Sequence, residues 1–216
     1  MSLAVELKKT ADSLKAALPE DIFSAIGQSI ADLKATGIAK RAASVGSTIP
    51  LPVITDFDGN DVDLRKLAAD GPLVISFYRG GWCPYCNVEL RALANALGDI
   101  EASGASVVAI SPEQPDSARE TAGKNTLGFP VLVDKGNRYA RELGIVFSLP
   151  ENLRPLYRSI GIDLEDWNGD ESHELPLAAT FIVDSKGTVV WAFVDADFSV
   201  RAEPANIAAA LRRVAA

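Results

Sequence analysis

Cys83 and Cys86 are the only cysteines in this chain of 216 residues, and they stand three positions apart in FYRGGWCPYCNVEL, residues 77–90. Four chemistries are open to such a pair: holding a metal, bracing the fold, exchanging disulfides or attacking a peroxide. Proline favours the first helical position, so Pro84 makes Cys83 an N-cap and sets Cys86 in the first turn. Cys83 then faces the free N–H groups of Tyr85 and Cys86 and the positive end of the helix dipole, all of which favour a thiolate. A thiol with pKa near 8.5 is about 3% ionised at pH 7, whereas one near 6 is about 90% ionised, roughly thirtyfold more nucleophile. Cys83 is accordingly the attacking thiol. Positions i and i+3 of a helix lie about 5 Å apart by Cα, within disulfide reach, so Cys86 is the resolving thiol. A sulfenic acid on Cys83 would condense with Cys86 to a disulfide that an external dithiol reduces. Arg79 either adds positive charge to this loop or is a surface charge, and Gly80-Gly81 would let the backbone approach a substrate closely.

A tetrahedral zinc site needs four ligands, and this chain offers one CxxC and a single histidine, His173. No metal is expected. His173 lies in an acidic stretch and reads as a surface residue. Tyr78, Trp82 and Trp191 either line the site or pack, packing being the favoured reading. Two inert core cysteines are the bland alternative, but a strand-to-helix turn is a poor place to hide a thiol.

The elements that would hold the pair alternate in type. PLVISFY (72–78) is a buried strand, residues 83–104 a helix closed by glycine, and ASVVAIS (105–111) a second strand, together a βαβ unit with a parallel pair. Helical stretches near 115–125 and 136–144 flank the strand FPVLVD (129–134). TFIVDSKGTVVWAFV (180–194) is a hairpin turning at Asp184 to Gly187, and a final helix opens at Glu203-Pro204. Upstream, Asp58-Gly59-Asn60 marks another hairpin and Asp63 caps a short helix. Residues 148–175 look like an irregular insertion. Residues 1–42 form an N-terminal helical arm whose stripe of Ile22, Phe23, Ile26, Ile30 and Leu33 either packs on the main domain, residues 43–216, or makes a dimer or partner surface. A βαβ unit followed by a hairpin and a terminal helix is the layout of an α/β, thioredoxin-like fold.

The chain carries 29 acidic against 21 basic residues, a net charge of −8, so nothing recommends nucleic acid or an anionic membrane as partner. With 48% hydrophobic residues it can bury a full core. Its first residues lack the apolar region of a signal peptide and no segment approaches 18 consecutive apolar residues, so a cytoplasmic protein is expected, in a compartment that keeps idle thiols reduced.

VGSTIPLPVITDFDGNDVDLRKL followed by PLVISFYRGGWCPYC resembles the opening of the peroxiredoxin-like branch of the alkyl hydroperoxide reductase and thiol-specific antioxidant (AhpC/TSA) superfamily. TFIVDSKGTVVWAFVDADFSVRAEP is similar to that family's C-terminal hairpin and following loop, so the resemblance spans about residues 45–215 and leaves the arm outside. It implies a thioredoxin-fold peroxidase in which Cys83 falls on the peroxidatic cysteine. Arg201 falls on the arginine beside it, holding positive charge against the thiolate and the peroxide oxygens. The implied partners are a hydroperoxide and thioredoxin, glutaredoxin or a similar dithiol, with a homodimer possible and no cofactor needed. Two positions depart from the pattern: the usual proline and the usual threonine or serine before the peroxidatic cysteine are Ser76 and Gly80 here. Thioredoxin-like disulfide reductases place a cis-proline where this chain has Ala178, Pro176 being two residues early. A thiol–disulfide oxidoreductase using the same cysteines is the alternative activity, and a non-catalytic scaffold with a partner-binding arm is a third reading.

Overall fold

The computed structural model describes residues 2–214. It opens with the arm: α1 (Leu3–Ala17) and α2 (Glu20–Ala35), broken apart at Pro19, then the short α3 (Ile38–Arg41) after Gly37, whose φ of +68° ends α2. A small antiparallel hairpin, β1 (Val53–Thr55) with β2 (Asp61–Asp63), turns through Asp58 and Gly59. Asp63 then caps α4 (Leu64–Ala69) by accepting from the amides of Arg65 and Lys66.

The central unit follows: β3 (Leu73–Phe77), α5 (Pro84–Glu101), β4 (Ser106–Ser111), α6 (Pro115–Asn125) and β5 (Val131–Val133). Next come α7 (Arg138–Glu142), β6 (Val146–Ser148), α8 (Arg154–Ser159), α9 (Leu164–Asn168) and β7 (Glu174–Pro176). The chain ends with β8 (Ala178–Val183), β9 (Val189–Asp195) and α10 (Pro204–Val214). The main sheet has the order β5-β4-β3-β8-β9, with β3, β4 and β5 parallel and β8 and β9 antiparallel to their neighbours. This is the thioredoxin-like α/β arrangement read from the sequence.

Every residue of β3 is buried because helices cover both faces of the sheet, which is why the strand reads as an apolar run interrupted only by Ser76. Successive side chains alternate between two cores. Leu73, Ile75 and Phe77 join Phe181 and Val183 on one face; Val74 joins Leu90 and Leu93 of α5 and Ile207 and Leu211 of α10 on the other.

The arm is part of this body. Leu3 and Leu7 are buried against α5 in the second core, and the Glu203 carboxylate accepts from the amides of Leu3 (3.1 Å) and Ala4 (2.7 Å), satisfying two orphan donors at the start of α1. The α2 stripe divides: Ile22 is buried and Leu33 packs on the first core, while Phe23 and Ile26 face a cavity described below. Residues 148–175 are more ordered than their composition implies. They carry α8, α9 and a β6–β7 pairing around a small core of Leu149, Leu153, Tyr157, Leu164 and Leu175. His173, expected at the surface, is 7% exposed, with Nε2 3.2 Å from Glu165 Oε1.

Candidate active site

The strand-to-helix turn between β3 and α5 is built as Pro84 suggests. Cys83 is the N-cap of α5 (φ −87°, ψ 113°), Pro84 is the first helical residue, and the Cys83 carbonyl accepts the first helical bond from the Asn87 amide at 3.2 Å. Gly80 and Gly81 have packing reasons for being glycine. At Gly80, φ is +149° and a Cβ would stand 2.3 Å from the Trp82 indole nitrogen; at Gly81 it would stand 2.0 Å from Thr121 Oγ1. Their backbone is pressed against protein, and the Gly81 amide donates to Glu113 Oε1 at 2.7 Å. Glu113 is buried and also accepts from Ser111 Oγ (3.2 Å) and Thr121 Oγ1 (3.3 Å). Burial raises its pKa above the usual carboxylate value, against those hydrogen bonds.

Both thiols are free and buried, but they face different surroundings. Cys83 lies in the wall of a cavity of about 390 Å³, beside Arg79, Trp82, Tyr157 and Phe198, while Cys86 points into the protein. The Cys86 sulfur accepts from the Arg79 backbone amide at 3.4 Å and from Arg201 Nη2 at 3.3 Å. Burial alone would push the Cys83 pKa up. The Cys86 thiol hydrogen-bonding to it, the charges of Arg79 and Arg201, and the Cys86 amide reverse the sign and lower it to about 5. Burial and the same Cys83–Cys86 contact hold Cys86 well above its ordinary value. One thiol is thus a thiolate at neutral pH and its neighbour keeps its proton.

Two guanidinium groups supply the charge, and they are held differently. Arg201, 5% exposed, pairs with the buried Glu89 carboxylate, donates from Nε to the Phe198 carbonyl at 2.7 Å, and touches Cys86. Its hydrogen bond goes to the second cysteine, and it acts on Cys83 through charge alone. The count along the sequence found the right arginine but not the sulfur it touches. Arg79, 2% exposed, has no carboxylate partner among the described residues. Its Nη2 donates to the Tyr157 hydroxyl at 3.0 Å, its Nε is unpaired, and its guanidinium lies 4.0 Å from the centroid of the Phe198 ring and 4.8 Å from that of Trp82. Burial works against this charge, but Tyr157, Cys83 and Cys86 more than offset it, so its pKa is raised. Arg79 is a buried cation whose charge, ahead of that of Arg201, favours the Cys83 thiolate.

Trp82 lines the cavity as well as packing edge-on against Tyr157, centroids 6.0 Å apart, whereas Tyr78 and Trp191 pack within the second core. Ser76 and Ala178 are buried in β3 and β8. Tyr157 escaped the sequence reading because it lies 78 residues from Arg79 in a segment without periodicity. The Arg79 and Arg201 guanidinium groups near the two sulfurs oppose a divalent metal there.

The profile of the AhpC/TSA family matches residues 45–192. Peroxiredoxin Q, chloroplastic, from Triticum aestivum is 28% identical over 158 residues, 73% of this chain and 62% of that protein. The thiol-disulfide oxidoreductase ResA of Bacillus thuringiensis is 26% identical over 107 residues, 49% of this chain and 61% of the relative. The chain thus spans about 60% of the length of these curated relatives. Among solved structures, peroxidoxin BcpB from Mycobacterium tuberculosis superposes with a TM-score of 0.62 at 21% identity, covering 80% of this chain and 98% of that one. That likeness carries the fold.

Proposed function

Because the chain belongs to the AhpC/TSA family, we propose that it is a thiol-dependent peroxidase in which Cys83 is the nucleophile and Cys86 the resolving thiol. The observation that carries this reading is the division of labour between the sulfurs: the ionised one faces the cavity and the protonated one is buried behind it. The Cys83 thiolate attacks the terminal, hydrogen-bearing oxygen of a hydroperoxide. The S–O bond forms as the O–O bond breaks, leaving Cys83 as the sulfenic acid and releasing an alkoxide or hydroxide that takes a proton to become alcohol or water. Arg79 offsets the thiolate charge before attack and the charge arriving on the leaving oxygen afterwards. Tyr157 accepts from Arg79, which leaves its own hydroxyl hydrogen free to donate into the cavity toward that oxygen. Arg201, locked to Glu89, holds positive charge at Cys86, where it favours the thiolate that attacks the sulfenic sulfur. That second attack releases water and closes a Cys83–Cys86 disulfide, which thioredoxin, glutaredoxin or a similar dithiol opens again.

A thiol–disulfide oxidoreductase with the same cysteines is the second reading, supported by the ResA likeness and by a low-pKa thiol at a helix N-terminus. We place the protein in a reducing compartment, the cytoplasm, because the proposed cycle needs a dithiol reductant. Stopped-flow mixing of reduced protein with hydrogen peroxide, followed by Trp fluorescence, tests the proposal. Oxidation should be orders of magnitude faster than that of a free thiol and be lost in Cys83→Ser, while Cys86→Ser should consume one equivalent and stop as a sulfenic acid. A wild-type rate no better than a free thiol would refute the peroxidase reading.

A further inference from the structure

The cavity in front of Cys83 is much larger than hydrogen peroxide requires. At about 390 Å³ it has the bulk volume of roughly a dozen waters and falls in the range of pockets that enclose whole organic ligands. Its walls come from segments far apart in the chain. The arm contributes Leu14 and Leu18 from the end of α1 and Phe23 and Ile26 from α2; the loop after α8 contributes Ile160 and Ile162 opposite them. Among the described residues, the charged groups in the lining are Arg79 and the Cys83 thiolate, and they sit with Tyr157 at the polar end. The four arm residues are half-buried, with apolar surface left open toward the cavity.

We propose that this chamber binds the hydrocarbon part of a bulky, uncharged organic hydroperoxide, and that the N-terminal arm is the element that selects it. The inference rests on the peroxidase reading above and names its substrate class. The hydroperoxide group would sit at Cys83 and Tyr157 while an aromatic or branched alkyl group of about nine carbons lies between the arm and the 160–162 loop. Apolar walls with a single polar end favour this orientation, because turning the molecule round would bury the hydroperoxide without hydrogen-bond partners. The arm precedes residue 45, where the family match begins, so the selecting surface is an addition of this chain to the shared fold. Glu203 and α5 anchor the start of α1, the helix whose far end supplies Leu14 and Leu18 to this wall.

The test compares second-order rate constants for oxidation of reduced protein by hydrogen peroxide, tert-butyl hydroperoxide and cumene hydroperoxide, in the wild type and in Phe23→Ala and Ile26→Ala. The wild-type constant should rise about tenfold or more from tert-butyl to cumene hydroperoxide, since each apolar group seated in a matching pocket is worth about that factor. Phe23→Ala should lower the ratio of cumene to hydrogen peroxide constants by about tenfold, and Ile26→Ala by a smaller factor. Because ratios are read within one protein sample, a partly unfolded variant does not mimic the effect, and the wild-type series needs no substitution. Fast oxidation by hydrogen peroxide with constants that stay flat or fall with bulk, and ratios unmoved by either variant, would overturn this inference and leave the peroxidase reading intact. The same holds if the variants slow only recycling by dithiol, which would make the chamber a seat for the reductant. Slow oxidation by every peroxide would remove both.

Discussion

Replacing Arg79 with methionine removes the one buried cation that has no carboxylate and keeps much of its volume between Trp82 and Phe198. Cys83 titrates at about 5 because of charges and hydrogen bonds that include Arg79 ahead of Arg201. An opposite charge within contact range is worth roughly 1 to 3 pKa units, so a shift of about 2 carries Cys83 from about 5 to about 7. At pH 5.5 the thiolate fraction then drops from about 76% to about 3%, some 25-fold, while at pH 8 it falls only from nearly all to about 90%. Below neutrality the variant should therefore alkylate slowly with iodoacetamide, and in mild base almost as fast as the parent. The ultraviolet absorbance of the thiolate gives the midpoint directly, without interference from Cys86, which stays protonated in that range. Arg201→Met should move the midpoint less, because Glu89 already neutralises much of the Arg201 charge. Sign matters here: losing a cation raises the midpoint, so the loss of reactivity appears on the acid side. A midpoint displaced by less than about half a unit, or a larger shift in Arg201→Met, would refute the pairing of Arg79 with the Cys83 thiolate.

Tyr157→Phe should slow oxidation by peroxide by about 10- to 100-fold, yet alkylation by iodoacetamide, whose iodide leaving group needs no proton, should keep nearly its parent rate. Equal losses in the two assays would confine Tyr157 to holding Arg79. Glu89→Gln strips Arg201 of its buried partner and should cost roughly 3 kcal/mol or more of stability, read as a lowered Tm; an unchanged Tm would show that the Phe198 carbonyl and Cys86 suffice to hold the charge. Gly81→Ala drives a methyl to 2.0 Å from Thr121 Oγ1 and should cost about 1 to 3 kcal/mol, part of it recovered in the Gly81→Ala, Thr121→Ala double variant as measured by denaturant midpoint.

The cysteine turn was legible because its determinants are local. Pro84 after Cys83 and the apolar run of β3 before it are enough to set an N-cap, and the spacing to Cys86 follows from helix geometry. The sheet was legible for a similar reason: strands buried on both faces are largely apolar, and β3, β4 and β8 show it, with only single serines or threonines inside or at their ends. Arg79 was not legible. Its burial depends on Phe198 and Tyr157, which arrive from a loop and a helix more than 70 residues away, and no spacing rule connects them. His173 and the 148–175 segment were misjudged because acidic, proline-containing stretches read as surface, whereas here short helices fold over a five-residue apolar core of their own. Arg201 was placed beside the cysteines by a gap-free count, but a count cannot resolve which of two sulfurs one helical turn apart receives the hydrogen bond. The arm shows the same limit: its stripe was visible, but not that Phe23 and Ile26 face a cavity while Leu33 packs on the core.

The guanidinium without a carboxylate has a consequence for the energetics of the cysteine couple. In the dithiol form its charge is balanced by the Cys83 thiolate; when a disulfide closes, that anion disappears and a cation is left stranded among aromatic rings. Whatever favours the ionised dithiol disfavours the disulfide by the same amount, so the couple is shifted to a more positive reduction potential than an unperturbed CxxC would have. The disulfide is thus a ready electron acceptor, and the same buried charge that sharpens the nucleophile also returns it to service.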